Sequence, residues 1–204
     1  LSALPADALC ARVRPVEALA PGNATAPGET AFKAFHLDQT ARQQAAQACF
    51  PTWGQHLSGG FLSHVAGKLF FRAGTKGLQI RIHNVILNDV QNPGQVALPD
   101  IELGHFHADS WEHFLDAYRF RLARGSYRAE LKPQARGKNA LTLHDLFQRI
   151  EAAGGEPALR QFYDEVCVAN STLCDKLAAH ELLRRHHLRL DKIRDCHFPV
   201  INQA

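Results

Sequence analysis

The sequence predicts an α/β chain in which strands come first and helices follow, on three observations. Period-two alternation of apolar and polar residues is confined to the first half. From Asp109 onward, helix-entry and helix-stop signals take over. Hydrophobic residues make up 46% and charged residues 21% of the 204, the mixture of a chain that buries a core rather than staying disordered. This length suits one ordinary domain, or a domain with a helical appendage. The expected division is an α/β part over 1–133 and a helical region over 134–204.

The first strand is expected over 8–16, where Ala8-Leu9-Cys10-Ala11 is apolar and Arg12 to Val16 alternates, before Pro21-Gly22-Asn23 stops it. Residues 24–60 are rich in Ala, Gln, Gly and Pro and predict one helix over 37–48 inside a loop that would serve as a mobile flap. Lys68-Leu69-Phe70-Phe71-Arg72, closed by Ala73-Gly74, and the strictly alternating 78–85 predict two further strands. Asn, Asp, Gly and two Pro make 88–99 a connector, after which 101–107 predicts a third short strand of this group.

The next helix is marked at its start by Asp109 or Ser110 as N-cap, with Glu112 three residues after Asp109 as the partner of a capping box. Trp111, Phe114, Leu115, Tyr118 and Leu122 give it one apolar face, and Gly125 stands where a left-handed cap belongs. Gln134 to Asn139 reads as a polar linker. Thr142 opens another helix that stops at Gly154-Gly155, and Pro157 begins the next at its first turn. The stripe Leu159, Phe162, Val166, Ala169, Leu173 and Leu177 carries that helical pattern, with a kink near Asn170-Ser171, to about Ile193. Cys167 and Cys174 fall on one helical face as small packed hydrophobes.

Several function classes lack support. A net charge of +3 is too mild for nucleic-acid binding, which needs a dense basic face. No run of about 18 apolar residues exists to span a membrane, and Leu1 to Leu9, broken by Pro5 and Asp7, is no signal peptide. Five scattered cysteines without a C-x-x-C pair suggest neither a disulfide framework nor a zinc finger, and fit a reducing cytoplasm. The sequons at Asn23 and Asn170 carry no weight without secretion. No Gly-x-Ser-x-Gly elbow is present, and Gly59-Gly60 lacks the Lys and Ser/Thr of a phosphate loop. Met is absent even at position 1, so the chain is expected to be the later part of a longer protein.

The chemistry concentrates at His105-Phe106-His107, at the end of a strand and just before a capped helix, where sites of α/β folds gather. Alternation sends both imidazoles to one face. Such a pair can ligate a divalent metal or grip a phosphate, and the helix N-terminus at Ser110 adds partial positive charge. The other reading is a satisfied core histidine beside a capping one. His83, on a neighbouring strand, can join the pair. Lys68, Arg72 and Arg81 alternate with apolar residues and can form a cationic rim for a diphosphate, or a solvated sheet face. Arg119, Arg121, Arg124, Arg128, Lys132, Arg136 and Lys138, opposed only by Glu130, can meet an anionic membrane, an acceptor phosphate or water. Arg184, Arg185, Arg189, Lys192 and Arg194, with His186 and His187, read as a solvated helix face.

Ala6-Asp7-Ala8 with its strand, Gly67-Lys68-Leu69-Phe70-Phe71-Arg72, Ile82-His83, and His105-Phe106-His107 with Ser110 and Phe114 together resemble bacterial proteins of the glycosyltransferase family 2 group. The resemblance spans about residues 6–130. Leu182-Leu183-Arg184-Arg185-His186 and His197-Phe198-Pro199 are similar to the helical ends of some members. It implies an incomplete GT-A-like mixed sheet, a divalent metal (magnesium or manganese), and transfer of a sugar from a nucleotide-sugar donor to a polysaccharide or lipid-linked glycan acceptor. It further implies that His105 or His107 serves as a late ligand to the metal or diphosphate; the scattered cysteines and the basic stretch from Arg119 fit a cytoplasmic protein that can attach peripherally to the inner membrane. No Asp-x-Asp occurs in this sequence, so the nucleotide-holding N-terminal half is expected to lie before Leu1, and the chain alone is expected to be inactive. Glu102 and Asp109 flank the cluster as base candidates, with capping or pairing as their other use.

Two alternatives compete. In a non-heme iron oxygenase, His107-Ala108-Asp109 would supply two ligands and His144, His180 or His197 the third, although the helical second half speaks against that barrel. In a binding or scaffolding module, the basic helices would dock on an acidic partner or membrane.

Overall fold

The computed structural model describes residues 4–57, 59–125 and 141–198. It is a mixed α/β structure organised around one central strand, β1 (Cys10–Ala18). Strand β7 (Gln95–His105) runs parallel along one edge of β1, with Cys10 opposite Gln95 and Glu17 opposite His105. Cys10 also faces Phe71 of β3 (Lys68–Phe71), and Glu17 also faces Lys33 of β2 (Thr30–Lys33), so these two antiparallel strands share the other edge. β8 (Leu183–His186) completes the sheet against β2. Pro15 lies between the stretch of β1 that pairs with β3 and the stretch that pairs with β2, where a missing N–H leaves no ladder bond unmade.

Gly67 closes against that gap. Its φ is +65°, and a Cβ there would collide with the Val13 carbonyl oxygen, so no other residue fits without displacement. A second, three-stranded sheet follows: β4 (Gln79–Ile80), β5 (Val85–Leu87) and β6 (Val90–Gln91). Asn88 and Asp89, both with positive φ, make its tight turn. Arg12 ties this hairpin to β1, donating to the His83 carbonyl at 3.2 Å and to Asn84 Oδ1 at 3.1 Å.

Helices cover one face of the main sheet. Asp38 caps α1 (Gln39–Cys49), Ser110 caps α2 (Trp111–Ala123), Thr142 caps α3 (Leu143–Val166) and Asn170 caps α4 (Ser171–Ala179). α3 breaks at Gly155 (φ 60°, ψ −147°), as Gly154-Gly155 followed by Pro157 predicts. One core joins the helices to the sheet through Phe35, Phe61, Phe114, Phe147, Phe162 and Leu177. Alternation in β1 and β2 sends Val16, Ala18, Phe32 and Ala34 to the opposite face, where Leu188 packs on them.

Several expectations change. The flap over 24–60 is built in: β2 lies inside the sheet, and Ala46 and Phe50 of the α1 region are buried. The alternating 78–85 folds back after Ile80, because Arg81 N–H donates to Asn84 O at 2.8 Å and makes a turn. The strand expected over 101–107 begins earlier, at Gln95, and takes Pro99 into a register shift. Ser110, not Asp109, caps α2, and Gly125 has no positive φ. The helical pattern does not run on to Ile193. Cys167 ends α3, Cys174 belongs to α4, and Leu183 to His186 leave the helical layer to pair with β2, before α5 (Leu190–His197). The boundary expected at 133/134 and the basic residues Arg128, Lys132, Arg136 and Lys138 lie outside the described residues.

Candidate functional site

Directly opposed residues share a face of a sheet, so Lys33, Glu17 and His105 form a polar row across β2, β1 and β7 on the helix-covered side. Glu17 and Lys33 are buried at 2% and 1% exposure, with their charged atoms 2.8 Å apart. The carboxylate also accepts from Leu62 N–H (3.0 Å), Ser63 N–H (2.8 Å) and Ser63 Oγ–H (2.6 Å). The Lys33 ammonium donates in addition to Val166 O at 3.1 Å. Burial alone would raise the Glu17 carboxyl. The Lys33 charge, the His107 ring and the hydrogen bonds from Lys33 and Ser63 outweigh it and hold the group at about 2. With these donors around it, Glu17 is an anchor for the loop that carries His64.

That anchoring assembles a row of four imidazoles. The rings of His105 and His107 stack with centroids 5.3 Å apart, His64 is 6.2 Å from His105, and His83 is 4.1 Å from His64. His105 Nδ1 is buried with no hydrogen-bond partner among the described residues. His83 donates from Nδ1 to the Gly67 carbonyl at 3.0 Å, which orients the ring. Burial drives His107 down to about 3. The Glu17 carboxylate opposes this, and Arg121 and His105 reinforce it. His105 is also lowered by burial, again against Glu17, with Arg121 and Lys68 adding to the shift. Both rings are therefore neutral near pH 7, each a donor at one nitrogen and an acceptor at the other.

Cations stand beside the row. Arg121, from the last turn of α2, donates to His107 Nε2 at 3.2 Å. Lys68, opposite Val13 and hence on the face of Glu17, rests its ammonium 3.3 Å from the Ile82 carbonyl. The N-cap of α2, Ser110, whose Oγ accepts from His113 N–H at 3.1 Å, follows His107 by three residues in sequence, while Arg121 comes from the other end of the helix. Neutral N–H donors and two cations can together hold an anion.

The structure thus brings together His83, His105, His107 and Lys68 of the sequence candidates. Arg72 is elsewhere, pinning the chain start through Ala8 O (2.8 Å) and Pro5 O (2.9 Å). Arg81 is exposed on the hairpin turn. Glu102 points to the opposite face, since it opposes Arg14 where His105 opposes Glu17. There it meets His36 (3.4 Å) and Arg184 (3.5 Å) over a groove lined also by Arg14, Phe32 and His186. Asp109 pairs with His113 at 2.5 Å. Sequence reasoning missed Glu17, Lys33, Ser63, His64 and the site role of Arg121. A charge inside Val16-Glu17-Ala18 and inside Phe32-Lys33-Ala34 was the signal for the first two, and nothing in the irregular loop announced His64.

The row is less suited to a metal. Among the described residues no three His, Cys, Asp or Glu side chains converge on an ion, either for a transferase metal or for an oxygenase set on His107 and Asp109. His107 Nε2 is turned to Arg121, and the Glu17 carboxylate is taken up by Lys33 and the 62–63 backbone. Among the described residues no helix is long and apolar enough to cross a membrane. Comparison with protein-family models, with curated proteins and with solved structures gives no match to this chain.

Proposed function

We propose that the chain is the acceptor-side, C-terminal part of a glycosyltransferase with a GT-A-like sheet. It would move a sugar from a nucleotide-sugar donor to a polysaccharide or lipid-linked acceptor, with the imidazole row receiving the departing diphosphate. The observation that carries this reading is the grouping of His105, His107 and His64 with Arg121 from the last turn of α2. When the glycosidic C–O bond of the donor breaks, the leaving oxygen and its phosphates take up negative charge. Donors already in place stabilise that charge without reorganising, and loss of one such donor lowers a rate by about 10²–10³. Neutral imidazoles suit the task because they donate without demanding a counter-ion, while Arg121 and Lys68 supply the charge. The divalent metal that the resemblance implies finds no three-ligand group among the described residues, so the imidazoles are given the diphosphate and not the metal.

Sugar transfer by the full natural polypeptide tests this. His105→Ala and Arg121→Ala are each expected to lower kcat by about a hundredfold or more. Asp109→Asn, whose carboxylate faces His113, should leave it within a few fold. Unchanged transfer in both His105→Ala and Arg121→Ala would turn the reading toward a binding module with structural histidines.

A further inference from the structure

The small sheet has two chemically different faces. Gln79 opposes Ile86, which opposes Gln91, while Ile80 opposes Val85 and Leu87 opposes Val90. Opposed residues share a face and alternate along each strand, so Ile80, Val85, Leu87 and Val90 form one wholly apolar face. Its centre, Val85, is buried. Its margins are open: Ile80 is 64% and Val90 55% exposed, and Ile82, in the turn after β4, is 79% exposed. Single exposed apolar residues are ordinary, but a group of them on one projection marks a contact surface.

Charge identifies what it contacts. Residues 75–91 carry Lys76 and Arg81 against a single acid, Asp89. Two copies of this chain meeting through the face would set these cations against each other. A surface that is anionic outside and apolar just beneath matches both features. We propose that the hairpin 75–91 is a docking surface for an anionic lipid bilayer. Ile80, Ile82 and Val90 enter the boundary between headgroups and acyl chains, and Lys76 and Arg81 meet the lipid phosphates. This attachment is peripheral and stands independently of the sugar-transfer reading.

Flotation of the whole chain with vesicles of phosphatidylcholine, alone or mixed with phosphatidylglycerol, tests the surface. Binding is expected to the mixed vesicles, and to weaken between about 0.1 M and about 0.5 M salt as screening shortens the reach of the charges. The triple variant Ile80→Ser, Ile82→Ser, Val90→Ser should lose at least tenfold in partition. Lys76→Ser with Arg81→Ser should lose about 25-fold at low salt alone, at about fivefold per cation. Should the triple variant lose its fold by circular dichroism, single Ile82→Ser, which lies outside the strands, takes its place. The proposal is overturned if the chain stays unbound with both vesicle types, or if the variants bind like the parent. It is equally overturned if the apolar substitutions abolish a dimer seen by sedimentation while vesicles fail to bind.

Discussion

Arg121 Nη1 stands 3.2 Å from His107 Nε2, a contact in which the guanidinium alone can donate. The imidazole proton therefore sits on Nδ1, and the ring is held neutral by burial and by the cation at its other nitrogen. Removing the guanidinium removes a charge that opposes protonation of both rings of the stacked pair. Arg121→Ala should raise the pKa of His107 and of His105 together, followed by NMR titration of the imidazole C–H signals. A shift in neither ring would mean that the contact is not made in solution.

Acid should weaken the fold through two groups whose pH windows overlap. His107 is depressed from an ordinary 6.5 to about 3, so the unfolded chain binds its proton first and stability falls as the pH drops through that window. Glu17 is depressed from 4.5 to about 2, so the stability it contributes is present above 4.5 and is lost as the pH falls toward 2. His107→Gln should flatten the upper arm of a urea-stability profile and change the lower one less, through the lost influence of the His107 ring on Glu17. Lys33→Ala, which strands a buried carboxylate, should cost about 3–5 kcal/mol near neutral pH and blunt the lower arm. Parallel profiles for parent and both variants would contradict the assignment.

Two glycines with nearly the same φ separate packing from backbone strain. A Cβ added at Gly67 (φ +65°) would collide with the Val13 carbonyl oxygen, whereas one added at Gly74 (φ +78°) would meet nothing within 4 Å. Each alanine substitution carries about 1–3 kcal/mol of left-handed strain. Gly67→Ala must also move β1 or the turn that orients His83, so its urea midpoint should fall clearly further than that of Gly74→Ala. Equal losses would show that the close approach at Gly67 is relieved freely.

Much of the frame was legible because it is local. Ser110 and Thr142 announced their helices by spacing, and Gly154-Gly155 with Pro157 marked the break in α3. His105 and His107 were readable as a same-face pair from strand alternation. The different placement of Glu102 was readable too, since an odd separation from His105 sends it to the other face. What escaped depends on partners distant in sequence. Leu183-Arg184-Arg185-His186 looks helical by composition and becomes a strand because β2 offers it an edge. Glu17, Lys33 and His64 come together only when β1, β2 and the 59–66 loop close over one another, and no periodicity encodes that meeting.

The anion seat itself is tested most directly by titrating the chain with a nucleoside diphosphate while recording the imidazole signals of all four ring positions. The account predicts saturable shifts at His105, His107 and His64, with affinity reduced at least tenfold in Arg121→Ala, a loss of about 1.4 kcal/mol or more. Saturable binding that leaves those three rings unmoved, or no binding at all at millimolar ligand, would contradict it.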